Sequence, residues 1–289
     1  MRIFVTGASG FIGRHLVDAS AGHELLCLTR RPDDVTAQTS ASADVRALQG
    51  DLAQPERWLG QLERFAPECC IHLAWEGLPD YSPARCQQNL DLGRGLIDAL
   101  ARAKVECVVV AGSCFEYGVA SGPVVETQAP VDCGLFARTK HELRAYLQES
   151  GMAYRWARIF FAYGPGQRES SLIPQCRAAF AVGKAPDIRQ PRVAQDFIYV
   201  EDVARGLLAL AERDVDSGVY NIGTGTPAAV GDMVNRVAAE FGRMPPFPDT
   251  SFDNGFWADT RKITAATGWR AQTTLVDGIA RALQAFEAA

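Results

Sequence analysis

The sequence predicts an α/β protein with a doubly wound parallel sheet, and three observations carry this prediction. Short apolar runs alternate with longer amphipathic stretches, as expected when parallel strands are joined by helices. Each run is apolar on successive residues, which is typical of strands buried on both faces. A glycine-rich turn at residues 7–13 directly follows the first run and precedes the first amphipathic stretch.

The elements can be assigned in order along the chain. Strands are predicted at 2–6, 24–29, 69–73, 105–111, 154–161 and 219–222, and helices at 11–19, 89–103, 136–149, 172–182 and 202–212. The stretches 189–195 and 242–259 are expected to be irregular, the second because it is rich in Pro, Phe and Gly. We therefore expect a large domain from residues 1–163 and 196–224, and a smaller, mostly C-terminal lobe from residues 164–195 and 225–289.

Composition excludes several classes of function. The chain has 289 residues and a formal net charge of -5, which argues against a basic nucleic-acid-binding face. No apolar run reaches the roughly 18–20 residues of a membrane span. The chain opens directly on a predicted strand, so no signal peptide is expected. Its eight cysteines include no Cys-x-x-Cys pair, and its four histidines are dispersed. These features predict reduced thiols, a cytoplasmic location and no metal site.

The glycine-rich turn predicts a cofactor site. Gly7, Gly10 and Gly13 form Gly-x-x-Gly-x-x-Gly between the first predicted strand and helix. Glycine permits the tight turn and lets backbone N–H groups approach a pyrophosphate, whose charge a helix N-terminus favours. This context predicts a Rossmann-type domain that binds a nicotinamide dinucleotide. The residues expected to contact it there are Gly7, Ser9, Gly10, Phe11, Ile12 and Gly13.

The end of the second predicted strand indicates which dinucleotide is bound. An acidic side chain there would accept a hydrogen bond from the ribose 2′-hydroxyl of NAD. This strand end carries Arg30 and Arg31, with no acidic residue between positions 25 and 32. Because an arginine can bind a 2′-phosphate through its planar guanidinium, we expect NADP rather than NAD. Asp51 and Leu52, which lie between the strands predicted at 24–29 and 69–73, are expected near the adenine.

Further motifs resemble the extended short-chain dehydrogenase/reductases, the NAD(P)-dependent nucleotide-sugar epimerase/dehydratase family. The matching segments are residues 72–75, Asn89, and residues 111–118, 158–167, 196–204 and 220–223. The resemblance covers nearly the whole chain. It implies an oxidoreductase-type enzyme with cofactor contacts at Leu73, Ala74, Trp75 and Asn89.

The resemblance also implies a catalytic arrangement of Ser, Tyr and Lys. In this family the Lys binds the nicotinamide ribose and lowers the pKa of the Tyr, which exchanges a proton with a sugar hydroxyl or ketone. Ser113 falls at the Ser position, and Lys140 at the Lys position. The Tyr should lie four residues before Lys140, one helical turn away, but that position is Phe136.

Three explanations of Phe136 remain open at this point. The chain could carry a Tyr→Phe substitution introduced to trap a complex, be a natural enzyme whose acid lies elsewhere, or bind cofactor without catalysis. Candidates for a substitute proton donor are Tyr117, Glu116 and Cys133. The aromatic residues expected to line the pocket as walls are Trp75, Tyr81 and Tyr163.

The leading hypothesis is an NADP-dependent ketoreductase of a nucleoside-diphosphate 4-keto sugar or deoxysugar. An NAD-dependent nucleotide-sugar epimerase or dehydratase is the second, and a non-catalytic dinucleotide-binding protein is the third. The smaller lobe is expected to bind the nucleotide of the substrate, with cations available at Lys184, Arg192 and Arg261. The resemblance also implies a homodimer.

Overall fold

A computed structural model of the chain describes residues 1–36, 44–212 and 214–287. The strands in chain order are β1 (Arg2–Thr6), β2 (Glu24–Thr29), β3 (Asp44–Gln49), β4 (Cys69–His72), β5 (Cys107–Ser113), β6 (Gly122–Val124), β7 (Ala153–Ile159), β8 (Phe161–Tyr163), β9 (Val193–Gln195), β10 (Phe197–Tyr199), β11 (Gly218–Ile222), β12 (Ala228–Ala229) and β13 (Asn254–Ala258). The helices are α1 (Phe11–Ala19), α2 (Asp33–Thr36), α3 (Pro55–Phe65), α4 (Pro83–Arg102), α5 (Leu135–Glu149), α6 (Leu172–Ala181), α7 (Val200–Glu212), α8 (Val230–Glu240), α9 (Arg261–Thr267) and α10 (Leu275–Glu287), with a 3₁₀ turn at Cys114–Tyr117.

Seven strands form one parallel sheet in the order β3-β2-β1-β4-β5-β7-β11. Successive residues of β1 enter different cores: Ile3 and Val5 pack on one face, and Phe4 packs on the other. Helices α1 and α7 cover the first face, and α3, α4 and α5 cover the second. The predicted doubly wound α/β fold is therefore confirmed, and its apolar strands are explained by burial on both faces.

A smaller lobe stands beside the sheet and has its own core. Helices α6, α8 and α10 pack together with the two-stranded β8–β10 sheet, and Ile173, Met233, Val237 and Ile279 lie fully buried between them. A second small sheet has the strand order β12-β9-β13-β6. The segments of this lobe are far apart in sequence, so its core forms only when they meet.

The contacts cross the predicted domain boundaries at two places. Tyr163 belongs to the lobe core, although it was assigned to the large domain. Ile263 and Trp269 pack into the core of the large sheet, although they were assigned to the lobe. The division at residues 163, 195 and 224 remains a prediction, with these contacts as its known exceptions.

Two further features differ from the sequence-based expectations. Helix α4 begins at Pro83, six residues before the predicted start, because Ser82 caps it by accepting a hydrogen bond from the backbone N–H of Arg85. Strands β9 and β13 occupy stretches expected to be irregular. They form because they pair with each other, a long-range contact that local sequence does not reveal.

All eight cysteines are free thiols. Within the described ranges, no group of three or more His, Cys, Asp or Glu side chains could hold a metal ion. None of the helices in these ranges has both the length and the apolar character that crossing a membrane requires.

Candidate active site

Two cavities meet where the strand order reverses, between β1 and β4. Ligands of open α/β sheets bind in the crevice at such a point, beyond the carboxyl ends of the strands. The first cavity has a volume of about 310 Å³ and the second of about 530 Å³. They share four lining residues, Gly7, Gly10, Leu73 and Trp75, and so form one cleft over the glycine-rich turn.

The glycine-rich turn suits a bound pyrophosphate. Gly7 has a φ of +78°, a left-handed conformation that favours glycine. A Cβ added to Gly13 would collide with the carbonyl oxygen of Gly7, so the first turn of α1 packs directly against the loop. No side chain caps α1 at Gly10, which leaves the N–H groups of its first turn for a ligand. These features fit a dinucleotide.

Charged groups surround the first cavity, where the adenosine end would lie. Arg30 and Arg31, both predicted to contact the cofactor, line it. The guanidinium of Arg30 lies 3.1 Å from a carboxylate oxygen of Glu76, and that of Arg31 lies 2.9 Å from Asp34. Each predicted phosphate-binding cation therefore has a carboxylate beside it, and the sequence analysis identified neither carboxylate.

The other residues predicted to contact the cofactor lie at different distances from the first cavity. Ser9, Asp51, Leu52 and Ala74 line it. Asn89 lines neither cavity, and its cofactor contact stays a prediction.

Asn89 instead holds the loop that follows β4. Its side-chain oxygen accepts a hydrogen bond from the backbone N–H of Glu76 at 2.7 Å, and its side-chain nitrogen donates to the carbonyl oxygen of Glu76 at 3.0 Å. The same nitrogen donates to the carbonyl oxygen of Arg85 at 2.9 Å. With these partners the buried amide is satisfied. Asn89 therefore fixes the backbone of Glu76, which lines the first cavity.

The second cavity brings together the three predicted catalytic positions, Ser113, Phe136 and Lys140. It also contains Phe11, Ile12 and Gly13 from the predicted cofactor loop. Ser113 ends β5, and its hydroxyl oxygen accepts a hydrogen bond from the backbone N–H of Phe115 at 3.2 Å.

Lys140 is buried, with 5% of its surface exposed. Its Nζ donates a hydrogen bond to the carbonyl oxygen of Ala111 at 2.7 Å and lies 4.3 Å from the ring centroid of Trp75. Burial disfavours the charged form and lowers the pKa of Lys140 to about 8. The ammonium is thus fixed at the end of β5, the position expected for contact with a bound ribose.

Phe136 lies between two other aromatic side chains. Its ring centroid is 4.9 Å from that of Trp75 and 5.0 Å from that of Tyr81. All three line the second cavity, in agreement with the prediction that Trp75 and Tyr81 are pocket residues. Tyr163, predicted as a third wall, instead lies buried in the lobe core and does not line either cavity.

Glu116 fixes the end of β5 through a hydrogen bond to its last residue. Its fully buried carboxylate accepts hydrogen bonds from the backbone N–H of Ser113 at 2.8 Å, from Nε1 of Trp156 at 2.9 Å and from Nε of Arg158 at 3.1 Å. Arg158 is itself 2% exposed. This buried ion pair positions Ser113, and Glu116 does not line the second cavity.

The other two proposed substitutes for the missing phenol also lie outside the cavity. The buried hydroxyl of Tyr117 donates a hydrogen bond to the side-chain oxygen of Asn221 at 2.7 Å. The Cys133 thiol donates to the carbonyl oxygen of Glu116 at 3.4 Å. With neither group lining the cavity, the hypothesis that Tyr117, Glu116 or Cys133 donates the proton loses its geometric basis.

His72 is fixed as a neutral ring below the cleft. Its Nδ1 lies 2.7 Å from the hydroxyl of Thr6 on the neighbouring strand. Burial, followed by the charge of Lys140, lowers the pKa of His72 to about 3. It therefore adds no positive charge next to Lys140 at neutral pH.

The lobe side of the second cavity is formed by Phe161, Gln167, Arg168 and Ser171. Arg168 forms no ion pair within residues 1–36, 44–212 and 214–287, so its charge is available to an anionic ligand.

The three cations predicted for the substrate nucleotide do not line this cavity. Arg192 pairs with Asp249 and Asp253, and Arg261 pairs with Asp259. Lys184 follows α6 on the surface. Arg168 was missed because, within a loop, the sequence gives no sign of which cation faces the cleft.

Comparison with known proteins agrees with this geometry. The sequence profile of the NAD dependent epimerase/dehydratase family matches residues 3–223. The chain is 26% identical to GDP-6-deoxy-D-mannose reductase of Pseudomonas aeruginosa, over 99% of this chain and 97% of that protein. It is 23% identical to the NAD(+)-dependent dTDP-6-deoxy-L-talose 4-dehydrogenase of Aggregatibacter actinomycetemcomitans, over 88% and 97%. A solved structure of MoeE5 in complex with UDP-glucuronic acid and NAD is 29% identical, with a TM-score of 0.82 over 100% of this chain and 99% of that one.

Proposed function

This chain belongs to the NAD dependent epimerase/dehydratase family, and we propose that it is an NADP-dependent ketoreductase of a nucleoside-diphosphate 4-keto sugar. The observation that carries the proposal is the second cavity, where the cofactor loop meets Ser113 and Lys140. Similarity to a nucleotide-sugar reductase over nearly the full length of both chains supports the reaction class.

The residues of the cleft have separate proposed roles in binding and catalysis. The glycine-rich turn and the first turn of α1 would hold the pyrophosphate, and Lys140 the nicotinamide ribose. Bound there, the dinucleotide supplies a hydride. Ser113 would donate a hydrogen bond to the substrate oxygen, and Arg168 would bind the diphosphate of the sugar nucleotide, with the 164–195 and 225–289 segments forming its lobe. Such hydrogen bonds are most effective in a site that excludes water.

Consumption of NADPH with a panel of UDP-, dTDP- and GDP-linked 4-keto-6-deoxyhexoses tests the function. We expect one equivalent of NADPH to be oxidised for each sugar reduced, with release of NADP. If the protein instead interconverts C4 epimers without net cofactor consumption, the reductase assignment is wrong.

Arg30 is proposed to give the preference for NADP. Replacing it with alanine should weaken NADP binding about 10- to 100-fold and leave NAD binding nearly unchanged, since a charge-assisted contact contributes roughly 1.5–3 kcal/mol. Isothermal titration with both dinucleotides measures this. Arg46→Ala is the control, because Arg46 pairs with Glu24 and Asp44 outside the cleft. Equal losses for both cofactors in Arg30→Ala would remove Arg30 from cofactor selection.

The neighbouring carboxylate makes this test sharper. Glu76 pairs with Arg30 at the cavity rim and would repel a 2′-phosphate. Glu76→Gln should therefore tighten NADP binding while Arg30→Ala weakens it. If Glu76→Gln instead weakens NAD binding selectively, Glu76 serves as the acceptor for the ribose hydroxyl.

That last outcome would favour the second candidate, an NAD-dependent epimerase or dehydratase. Two observations support it: the carboxylate of Glu76 in the first cavity, and the similarity to MoeE5, whose solved structure contains NAD. Such an enzyme regenerates its cofactor within each cycle. Mass spectrometry of the denatured purified protein would then detect retained NAD.

A further inference from the structure

The second cavity lacks the phenol that position 136 would have supplied. A ketone that accepts a hydride at carbon also needs a proton at its oxygen. Among the described residues that line this cavity, the side chains with an ionisable proton are Tyr81, Cys114, Lys140 and Arg168.

Three of these four groups are poor candidates. Arginine does not lose its proton in proteins. Cys114 is 2% exposed, and burial raises the pKa of its thiol well above the ordinary range. Lys140 donates to the carbonyl oxygen of Ala111 and contacts the face of Trp75, an arrangement that orients its ammonium at the strand end. Tyr81 remains, and phenols are protonated at neutral pH.

Tyr81 lies next to the position of the missing phenol. Its ring contacts the ring of Phe136, with the centroids 5.0 Å apart and the planes tilted by 55°. Its backbone is fixed because Tyr81 directly precedes Ser82, the N-cap of α4. The carbonyl oxygen of Tyr81 also accepts a hydrogen bond from the thiol of Cys86 at 3.5 Å. The backbone of Tyr81 is thus anchored at the end of the β4–α4 loop, directly before the helix begins.

We propose that Tyr81 is the catalytic acid of this enzyme, in the role that a phenol at position 136 would otherwise fill. This inference rests on the proposed ketoreductase function. As the carbonyl carbon receives a hydride from the bound reduced dinucleotide, the O–H bond of Tyr81 breaks and a new O–H bond forms on the sugar. The ketone is reduced to an alcohol, the dinucleotide is oxidised, and Tyr81 is left as a phenolate.

The exposure of Tyr81 completes the proton balance. With 42% of its surface accessible, its phenolate takes a proton from solvent before the next turnover. The positive charge of Lys140, in the same cavity, stabilises the phenolate while it exists. Phe136 then acts as the spacer against which the Tyr81 ring packs.

Turnover of three variants tests the role directly. Tyr81→Phe should lower kcat at least 100-fold with little change in KM, since the ring and its packing remain. Tyr146→Phe is the matched control, because the Tyr146 hydroxyl contacts Asp98 on the surface of the large domain. Adding Phe136→Tyr to Tyr81→Phe should restore at least tenfold of the loss, because it returns a phenol to the same cavity. A merely structural role of Tyr81 would not be rescued in this way.

A binding measurement tests the contact without turnover. Isothermal titration in the presence of NADP uses the tightest binder among UDP-glucose, dTDP-glucose and GDP-mannose, together with its 4-deoxy analogue. The unmodified protein should prefer the 4-hydroxyl sugar by about fivefold, the value of one hydrogen bond. Tyr81→Phe should lose this preference, and Tyr146→Phe should keep it.

The outcomes separate the two proposals. A preference that survives Tyr81→Phe, or that the unmodified protein lacks, overturns the contact of Tyr81 with the substrate oxygen. An unchanged kcat in Tyr81→Phe overturns its catalytic role while the ketoreductase function stands. A protein that shows the Tyr81-dependent preference but oxidises no NADPH with any 4-keto sugar leaves the contact in place and overturns the proposed function.

Discussion

Replacing Lys140 with methionine should lower turnover by about 10²–10⁴-fold and at the same time stabilise the protein without cofactor at neutral pH. The loss follows because Lys140 is the only lysine that lines either cavity in the described part of the chain. Methionine keeps most of the buried volume but cannot contact the ribose or stabilise a phenolate. The rate is measured as NADPH oxidation, and the stability by urea unfolding.

The stability gain has a defined pH window. The pKa of Lys140 is about 8 in the folded protein and 10.5 in the absence of burial. Between these values the unfolded chain binds a proton that the folded chain does not, so the free energy of unfolding rises with pH across this window. Below pH 8 the folded protein carries the whole cost of a buried ammonium, about 3 kcal/mol. Lys140→Met should lack this rise and be more stable at pH 7.

Lys262→Met provides a matched control. Lys262 also donates to a strand carbonyl, that of Val219 at 2.7 Å, and lies 4.4 Å from the ring centroid of Tyr220. It does not line the cleft, so its loss should leave both turnover and the rise in stability above pH 8 unchanged. If Lys140→Met retains the parent rate, the Ser–phenol–Lys arrangement does not operate in this protein.

The second large effect is expected at the buried Glu116–Arg158 pair. Glu116→Gln keeps the shape but leaves the buried guanidinium of Arg158 without its countercharge, which should cost about 3–5 kcal/mol in the free energy of unfolding. The new amide would also direct its N–H groups toward existing donors. Chemical denaturation measures the change. Turnover should fall because the single remaining side-chain oxygen cannot accept from both the Ser113 N–H and the Arg158 Nε.

A double-mutant cycle distinguishes charge pairing from simple packing. Adding Arg158→Met to Glu116→Gln should recover a large part of the lost stability, because the unpaired buried charge is removed. Breaking an exposed pair with Arg192→Ala should barely move the unfolding midpoint. Additive losses from Glu116→Gln and Arg158→Met would contradict the proposed coupling.

Much of this site could be predicted where local sequence and local geometry coincide. The turn at Gly7, Gly10 and Gly13 stands between a strand and a helix whose bounds match the prediction at every residue. Spacing along α5 placed Phe136 and Lys140 one turn apart on a common face, and the structure brings both to one cavity. Periodicity and steric requirements act over a few residues, so they can be recognised in a single amino-acid sequence.

The remaining features depend on contacts between distant segments. Glu76 is far from Arg30 in sequence, so the carboxylate beside Arg30 comes from the loop after β4 and not from the end of β2. Asn89 resembles a cofactor residue, yet its amide is used by that same loop. The contact between Tyr81 and Phe136 depends on where α4 begins. The cap at Ser82 makes the helix begin at Pro83, earlier than the sequence predicted. These relations are set by tertiary packing, which sequence patterns do not encode.

The core of the smaller lobe also sets an order of events during protein synthesis. A nascent chain emerges N-terminus first and folds in that order where it can. The last strand of the large sheet ends at Ile222, so all seven strands emerge from the ribosome before α8 and α10 do. The lobe core needs Met233 and Ile279 from those helices. During synthesis there is therefore a stage at which every strand of the large sheet has emerged, but the lobe segment that carries Arg168 cannot yet pack against α8 and α10.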